Sequence, residues 1–282
     1  MILTSINGRL NQSISPHDRG LLFGESIYEV IPIYNQKPFC LDMHLSRLSS
    51  SFKTLFAINL DQQQIIQWIT SFLQNMNTAA FSAIYIQVTT GSQQKHRNHL
   101  HNNACIPNII ISEYRCEPID IERYKQGYSA ILLPDIRSGL AKHKSTQLSI
   151  NTNALNQAQQ AGMNEAIFVK NNLLTEGASS NLFIVSDNTL ITPPLGNIVP
   201  GVTRHLVLKL AKQLGMNYQI RPIHTKELLN CTEVFLSSSI KILKPINFIP
   251  NNFSYKKPGK IWNKLLQHYI GLTHAHSHQA QT

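Results

Sequence analysis

The sequence predicts an α+β protein that folds as two lobes. Short runs such as 83–89 alternate apolar and polar residues, and a period of two is typical of strands with one buried face. Two stretches before that run instead repeat apolar residues every three or four positions, which is typical of amphipathic helices. The chain has 282 residues, 42% of them hydrophobic, so it is long enough to form two separate cores.

A polar segment divides the predicted lobes. Residues 117–124 carry a proline and several charges, and they are expected to link an N-terminal small domain at 1–116 to a C-terminal domain at 125–271. The last residues, 272–282, are polar and contain three alternating histidines. Because flexible histidines bind metal weakly without other ligands, this segment is expected to be a disordered tail without a metal site.

The first lobe is predicted to contain two hairpins and two helices. Asn7-Gly8 and Asn35-Gln36 are the expected hairpin turns. Asp42 is expected to cap the first helix, and the second helix is expected to start near Asp61. The apolar stripe of the first helix is Leu45, Leu48, Phe52 and Leu55. A loop is expected at 16–20, and the predicted strands are 1–6, 26–34, 83–89 and 108–112.

The second lobe is predicted to be mainly strands joined by tight turns. Asn171-Asn172 and Asp187-Asn188 are the expected turn pairs. A helix at 153–161 is expected to stop at Gly162, and a leucine-rich helix is expected after Gly201. The predicted strands are 129–133, 165–169, 172–175, 181–185 and 189–192.

The bulk composition narrows the functional class. The formal charge is +10, but the 25 basic residues are spread along the chain, so the basic surface favours small anionic substrates over nucleic acid. The N-terminus does not resemble a signal peptide, and no apolar run is long enough to span a membrane, so a cytoplasmic protein is expected. The four scattered cysteines predict reduced thiols, without a disulfide framework or a zinc site.

Three segments each supply one requirement of a pyridoxal phosphate site. Segment 135–144 ends at Lys144, whose amine can form a Schiff base with an aldehyde, and segment 174–182 contains Glu176, whose carboxylate can keep a ring nitrogen protonated. Segment 200–204 is a glycine-led helix start that can hold a phosphate. Taken alone, Lys144 and Glu176 are also compatible with ordinary solvent-exposed side chains. Lys142 would share a face with Lys144 on a strand, so the spacing leaves both lysines open.

The order of several motifs resembles one enzyme family. Residues 18–30 are similar to the family pattern DRG-x-x-FGDG-x-YE, with Glu25-Ser26 in place of Asp-Gly. The motifs His44-Leu-Ser-Arg47, Lys144-Ser, Glu176-Gly-x-x-Ser-Asn and Gly201-Val-Thr-Arg204 follow in the family's order. The resemblance covers roughly residues 1–250 and is to the class IV, or fold type IV, pyridoxal phosphate aminotransferases.

This resemblance implies a two-domain fold type IV enzyme with a small N-terminal α/β lobe and a larger C-terminal pseudo-barrel lobe, which enclose pyridoxal 5'-phosphate. It favours Lys144 over Lys142 as the Schiff-base lysine, and it places Glu176 at the pyridine nitrogen. Arg47 would grip the cofactor phosphate, because guanidinium geometry suits a phosphate. The remaining cofactor-binding residues that it implies are Ser180, Val202, Thr203 and Ser239.

The resemblance also suggests where the substrate binds. Tyr28 and the loop residues Arg97 and His99 match positions that receive the substrate α-carboxylate in D-amino acid transaminases, if two extra residues follow Gly91. Without that insertion, Lys95 and Arg97 fall in those places. In both alignments the loop offers cations to a carboxylate.

The implied function is that of a D-amino acid transaminase. Such an enzyme moves an amino group from a D-amino acid, such as D-alanine, to 2-oxoglutarate or pyruvate by a ping-pong mechanism. The resemblance further implies a homodimer in which the loop of one subunit completes the site of the other. A branched-chain L-amino acid aminotransferase and an aminodeoxychorismate lyase, which releases pyruvate and 4-aminobenzoate, stay open as alternatives. A nucleic-acid-binding protein without activity is the alternative from a different class.

Overall fold

The computed structural model describes residues 2–76, 81–93, 98–100 and 106–278. The chain forms two compact units. The first consists of Met1–Pro118 with His143–Gln147, and the second of Ile119–Lys142 with Leu148–His278. The expected C-terminal domain included 143–147, whereas the structure places these residues in the first unit. A short segment that joins a distant strand leaves no local signal in the sequence.

The first unit is built on a six-stranded sheet in which every described pairing is antiparallel. The strand order is β2-β1-β6-β5-β3-β4. The predicted turns at Asn7-Gly8 and Asn35-Gln36 are confirmed, since all four residues have positive φ, as tight hairpins require. The strands are β1 (Thr4–Ile6), β2 (Arg9–Leu10), β3 (Ser26–Tyr34), β4 (Lys37–Pro38), β5 (Phe81–Thr89) and β6 (Asn108–Tyr114).

The helices of the first unit are α1 (Arg19–Phe23), α2 (Leu41–Phe56) and α3 (Gln62–Asn75). The predicted start of the second helix near Asp61 is confirmed, since α3 begins at Gln62 and the Asp61 carboxylate caps it by accepting from the Gln64 backbone N–H. The prediction for Asp42 is wrong: α2 starts two residues earlier than a cap at Asp42 would imply, and its cap position is Cys40 in the left-handed region. The expected loop at 16–20 contains the start of α1, which is too short to show a periodic pattern.

The core of the first unit joins the helix stripes to the sheet. Leu45, Leu48 and Phe52 of α2 are buried as predicted, whereas Leu55 is only partly buried. They pack in one cluster with the apolar faces of α3 and the central strands. The buried members from those elements include Ile65, Ile69, Phe72, Ile84, Ile86 and Val88.

The second unit is built on a ten-stranded sheet that closes on itself. The path β10-β14-β15-β7-β8-β9 returns to β10 because Gly177 of β9 pairs with Ser180 of β10. This closed ring agrees with the pseudo-barrel that the resemblance implied. The strands are β7 (Tyr128–Pro134), β8 (Glu165–Lys170), β9 (Leu173–Gly177), β10 (Ser180–Ser186), β11 (Thr189–Thr192), β12 (Tyr218–Ile220), β13 (Ile223–His224), β14 (Glu233–Ser238), β15 (Ile242–Ile249) and β16 (Phe253–Ser254).

The turns between β8, β9, β10 and β11 follow the sequence prediction. Asn171, Asn172, Asp187 and Asn188 all have positive φ, which asparagine and aspartate tolerate better than other residues with side chains. The helices of the unit are α4 (Ile121–Gln126), α5 (Ser149–Gln160), α6 (Val202–Gln213) and α7 (Lys260–His278), with 3₁₀ helices at Gly139–Lys142 and Thr225–Leu229.

The disordered tail expected at 272–282 is wrong for its described part. Residues 272–278 continue α7, and Thr273 is buried. The apolar stripe that holds this helix begins upstream, at Trp262, Leu265, Leu266 and Tyr269. The composition of the tail alone therefore gave a misleading prediction.

Within the described ranges, no helix has the length and apolar character needed to cross a membrane. No group of three or more His, Cys, Asp or Glu residues in those ranges is arranged to hold a metal ion.

Candidate active site

Lys144 lies on a segment that pairs with the free edge of β3. The Tyr28 N–H donates to the Lys144 carbonyl at 2.9 Å, and the Thr146 N–H donates to the Ser26 carbonyl at 3.1 Å. Ile27 and Ser145 form an isolated antiparallel bridge between these hydrogen bonds. Since backbone hydrogen bonds fix both segments, the backbone of Lys144 is held beside Tyr28 independently of the Lys144 side-chain conformation.

The Lys144 side chain reaches over an aromatic pair. Its Nζ lies 4.2 Å from the centroid of the Tyr28 ring, and the Tyr28 ring stacks on Tyr85 at 5.4 Å. Lys144 is half-buried, whereas Lys142 is exposed at the end of a 3₁₀ helix. The two lysines do not lie on one strand, so the expectation that they share a face is wrong. A bend at His143 lies between them.

A buried acid on β3 organises two basic side chains of α2. The Glu29 carboxylate accepts from Arg47 Nε and Nη2, each at 2.6 Å, and from His44 Nδ1 at 2.7 Å. Burial alone would raise the pKa of Glu29, but the Arg47 charge and the hydrogen bonds from His44 and Arg47 lower it to about 2. Burial lowers the pKa of His44 despite the opposing effect of Glu29. Because an ionised carboxylate can only accept a hydrogen bond, His44 donates its Nδ1–H to Glu29.

This cluster changes the interpretation of Arg47. Its side chain is only 10% exposed, so it is not the solvated surface charge that its position off the apolar stripe would suggest. The two-pronged contact with Glu29 fixes the plane of the guanidinium, as expected for a bidentate carboxylate pair. Arg47 is therefore a rigidly held cation.

The predicted substrate loop is described only in part. His99 is exposed, and its ring centroid lies 5.2 Å from that of Phe23. Arg97 and its alternative Lys95 lie outside the described residues. The structure thus places one of the two predicted loop residues and leaves the other a prediction.

In the second unit, Glu176 lies at the point where β9 and β10 close the ring. It is 2% exposed, and its Oε1 accepts from Arg137 Nη1 at 2.6 Å. Its Oε2 accepts from Asn181 Nδ2 at 3.0 Å and from the Val199 N–H at 3.1 Å. Burial raises the pKa of Glu176 to about 7, although Arg137 and the Val199 hydrogen bond act against that rise. A further cation would favour the charged form.

Arg137 is a member of this cluster whose role the sequence did not indicate. Its Nε and Nη2 donate to the two oxygens of Asp135 at 2.9 and 2.8 Å, and its guanidinium lies 4.5 Å from the Phe168 ring centroid. Thr175 donates to the same Asp135 carboxylate at 2.8 Å. The sequence does not show that Arg137 reaches Glu176, because the two residues are far apart in the chain.

The start of α6 supplies backbone donors. Gly201 occupies the cap position and has no side chain that could accept a hydrogen bond. The backbone N–H groups of Val202 and Thr203 therefore do not donate to a cap side chain. A Cβ at Gly201 would collide with Asn181 Oδ1, the same side chain that donates to Glu176. The glycine therefore lets the helix start close to the Glu176 cluster.

Two serine hydroxyls near these elements are buried without a described partner. Ser180 Oγ, at the start of β10, and Ser237 Oγ, in β14, make no hydrogen bond with any described residue. Ser239, the predicted cofactor contact, lies in the turn after β14 and is half-buried. Because buried hydroxyls normally have partners, the two orphan groups are consistent with a polar ligand. Ser237 was missed, although Ser237-Ser-Ser239 was visible in the sequence.

These groups fit pyridoxal 5'-phosphate chemically. A phosphate requires cations, hydroxyls and helix N–H groups, and a protonated pyridine nitrogen requires a buried carboxylate. In the first unit, Arg47 is a buried cation of the kind that a phosphate requires. In the second unit, the α6 start and the orphan hydroxyls are donors of the kind that a phosphate requires, and the buried Glu176 carboxylate is the kind of group that a pyridine nitrogen requires.

Comparison with known proteins agrees with this chemistry. Residues 26–249 match the family described as amino-transferase class IV. The D-alanine aminotransferase of Bacillus licheniformis is 33% identical over 251 residues, a match that covers 86% of this chain and 87% of that protein.

Solved structures share the fold. The 4-amino-4-deoxychorismate lyase of Pseudomonas aeruginosa superposes with a TM-score of 0.84 at 25% identity, covering 95% of this chain and 98% of the lyase. The branched-chain amino acid aminotransferase of Escherichia coli has a TM-score of 0.85 at 21% identity, covering 96% of this chain and 94% of that one. The predicted two-domain fold type is thereby confirmed.

Proposed function

The chain belongs to the class IV aminotransferases, enzymes that depend on pyridoxal 5'-phosphate, and from that premise we propose that it transfers the amino group of a D-amino acid, such as D-alanine, to a 2-oxo acid. The observation that carries the proposal is the placement of Lys144 Nζ 4.2 Å from the Tyr28 ring. An amine presented beside a tyrosine by strand pairing suits both attachment of the cofactor and contact with a substrate. The D-alanine aminotransferase relatives support the D-enantiomer.

The proposed cofactor residues are those that the family resemblance implies. Lys144 would provide the amine for attachment of the cofactor aldehyde, and Glu176 would hold the proton at the ring nitrogen. When bound, pyridoxal 5'-phosphate supplies an electron sink that acidifies the substrate Cα–H bond. The residues proposed to bind the phosphate and the ring substituents are Arg47, Ser180, Val202, Thr203 and Ser239.

Each of these residues has a defined task in the transfer. Lys144 Nζ accepts the proton from the substrate Cα and later returns a proton, as a positioned general base and acid. Glu29 orients Arg47, so the phosphate meets a guanidinium of fixed plane. The hydrogen bonds from Arg137 and Asn181 hold the Glu176 carboxylate in one orientation.

The substrate contacts are proposed to be Tyr28, Arg97 and His99. A tyrosine hydroxyl, a guanidinium and an imidazole can each donate a hydrogen bond to an α-carboxylate. We further propose that the enzyme is a homodimer and that the loop containing Arg97 and His99 completes the site of the partner subunit. Mixing Lys144→Ala and His99→Ala subunits tests this point. Only a mixed dimer in which one site takes Lys144 from one subunit and His99 from the other would be more active than either variant.

One assay separates the proposed function from its alternatives. The cofactor-loaded enzyme is offered D-alanine with 2-oxoglutarate, L-leucine with 2-oxoglutarate, or aminodeoxychorismate, and the products are identified. The proposal expects pyruvate and glutamate from the first mixture. Faster turnover of L-leucine would make the chain a branched-chain aminotransferase, and formation of 4-aminobenzoate would make it a lyase.

A further inference from the structure

Arg19, in the first unit, is 0% exposed and does not belong to the proposed chemistry. We propose that Arg19 and Glu25 form a positioning pair that fixes the backbone of residues 98–100 and so determines how His99 meets a substrate carboxylate. This inference rests on the proposed function, because it assigns His99 to the substrate. It requires no contact from Arg97 or from any other residue outside the described ranges.

The ion pair is held in two places. Arg19 Nε donates to Glu25 Oε2 at 2.7 Å, and Arg19 Nη2 donates to Glu25 Oε1 at 2.6 Å. Glu25 Oε2 also accepts from the Thr90 hydroxyl at 2.7 Å, which ties the pair to the end of β5. A guanidinium that is bound through two parallel hydrogen bonds has a fixed plane, so its remaining donors point in fixed directions.

Those remaining donors point at the loop. Arg19 Nη1 donates to the Asn98 carbonyl at 2.7 Å and approaches the Leu100 carbonyl at 3.5 Å, and Nη2 donates to the His99 carbonyl at 3.1 Å. Consecutive carbonyls of an extended strand point in opposite directions. Here three in a row face one guanidinium, so the loop is curled around Arg19, and this curl depends on the cation.

Gln93 holds the same loop from another point. Its Nε2 donates to the Asn98 carbonyl at 2.6 Å, and its Oε1 accepts from the Asn98 N–H at 3.0 Å. Asn98 Oδ1 in turn accepts from the Leu100 N–H at 3.0 Å. Gln93 therefore reproduces a strand-like pair with one residue of the loop, and its removal offers a milder perturbation than the loss of a buried charge.

The His99 ring is also supported indirectly by Arg19. Phe23 lies with its ring centroid 4.7 Å from the Arg19 guanidinium and 5.2 Å from the His99 ring. Phe23 is in α1, which is capped by Asp18, and that carboxylate also accepts from Thr89 at 2.8 Å. The backbone and the ring of His99 thus depend on the same small assembly.

The sequence contains a departure at this point. The family pattern has aspartate where this chain has Glu25, and the longer side chain brings both carboxylate oxygens onto Arg19. An aspartate at 25 would be one methylene shorter, so the guanidinium and the three carbonyls would have to move together. Such a shift would move the backbone of His99 and so weaken its contact with a substrate carboxylate.

The test compares Glu25→Gln and Glu25→Asp with the control Glu113→Gln. Glu113 pairs with Arg115 in the same unit, and the Arg115 side chain is 74% exposed, so the control removes a carboxylate from an exposed ion pair. In cofactor-loaded enzyme, we expect Glu25→Gln to raise KM for D-alanine about tenfold with kcat changed less than about twofold, because ground-state and transition-state binding weaken together. We expect Glu25→Asp to shift in the same direction by a smaller factor. Glu113→Gln should match the wild type.

A second readout does not depend on turnover. Amide hydrogen exchange at residues 98–100 should become at least about tenfold faster in Glu25→Gln and in Gln93→Ala, because the loop loses a clamp. A primary amine without a carboxylate should react equally well with all variants. Unchanged exchange together with an unchanged KM in both variants would overturn the inference. If the wild type transfers no amino group, the proposed function fails, and the exchange measurement alone still decides whether Arg19 and Glu25 fix the loop.

Discussion

Glu176 makes the stability of the cofactor-free protein depend on pH. Its carboxyl is 2% exposed, and burial, partly opposed by Arg137, raises its pKa from 4.5 to about 7. A rise of this size corresponds to about 3 kcal/mol of unfolding free energy, at about 1.4 kcal/mol per tenfold change in proton affinity. Since the folded pKa is the higher one, the contribution is complete below pH 4.5 and is lost as the pH rises through about 7.

Glu176→Gln removes this titration while keeping the shape of the side chain. Urea unfolding of both cofactor-free proteins between about pH 4.5 and 8 should therefore give wild-type stability that falls by about 3 kcal/mol more than that of the variant. Glu122→Gln is the control, because Glu122 is an exposed carboxylate of the same unit. Parallel profiles for the wild type and Glu176→Gln would refute the assigned environment of Glu176.

Three further substitutions test other parts of the site. Glu29→Gln should weaken binding of pyridoxal 5'-phosphate at least about tenfold in a titration, because Arg47 loses the charge that orients it, and equal affinity would remove Arg47 from the phosphate site. Gly201→Ala should lower the unfolding free energy by about 1 to 3 kcal/mol because its Cβ meets Asn181, while Gly139→Ala, with open space around it, should be nearly neutral. Lys144→Ala should abolish the absorbance band of the cofactor–lysine linkage in the loaded enzyme, and Lys142→Ala should retain it.

Local patterns predicted most of the regular structure. The strand predicted at 26–34 and the strand predicted at 189–192 have the bounds that the structure gives to β3 and β11. The turns at Asn171-Asn172 and Asp187-Asn188 followed from the tolerance of these residues for positive φ. These features depend on residues that are adjacent in the chain, so the sequence displays them directly.

Features that depend on distant residues were missed. The pairing of 144–146 with β3 and the contact of Arg137 with Glu176 join residues that are far apart in the chain. The cap of α2 could not be assigned to Cys40 from the sequence, because cysteine is not a preferred cap residue and its side chain makes no cap hydrogen bond. The roles of Lys144, Arg47 and the other site residues depended on the family resemblance, and they stay predictions until they are tested in solution.

The position of the cofactor attachment is the central claim, and one measurement addresses it directly. Borohydride reduction of the pyridoxal 5'-phosphate-loaded enzyme would make the cofactor–lysine bond permanent, and peptide mass spectrometry would then locate the modified lysine. We predict a single pyridoxyl group on Lys144. A group on Lys142 or on any other lysine, or a protein that takes up no cofactor, would contradict the account.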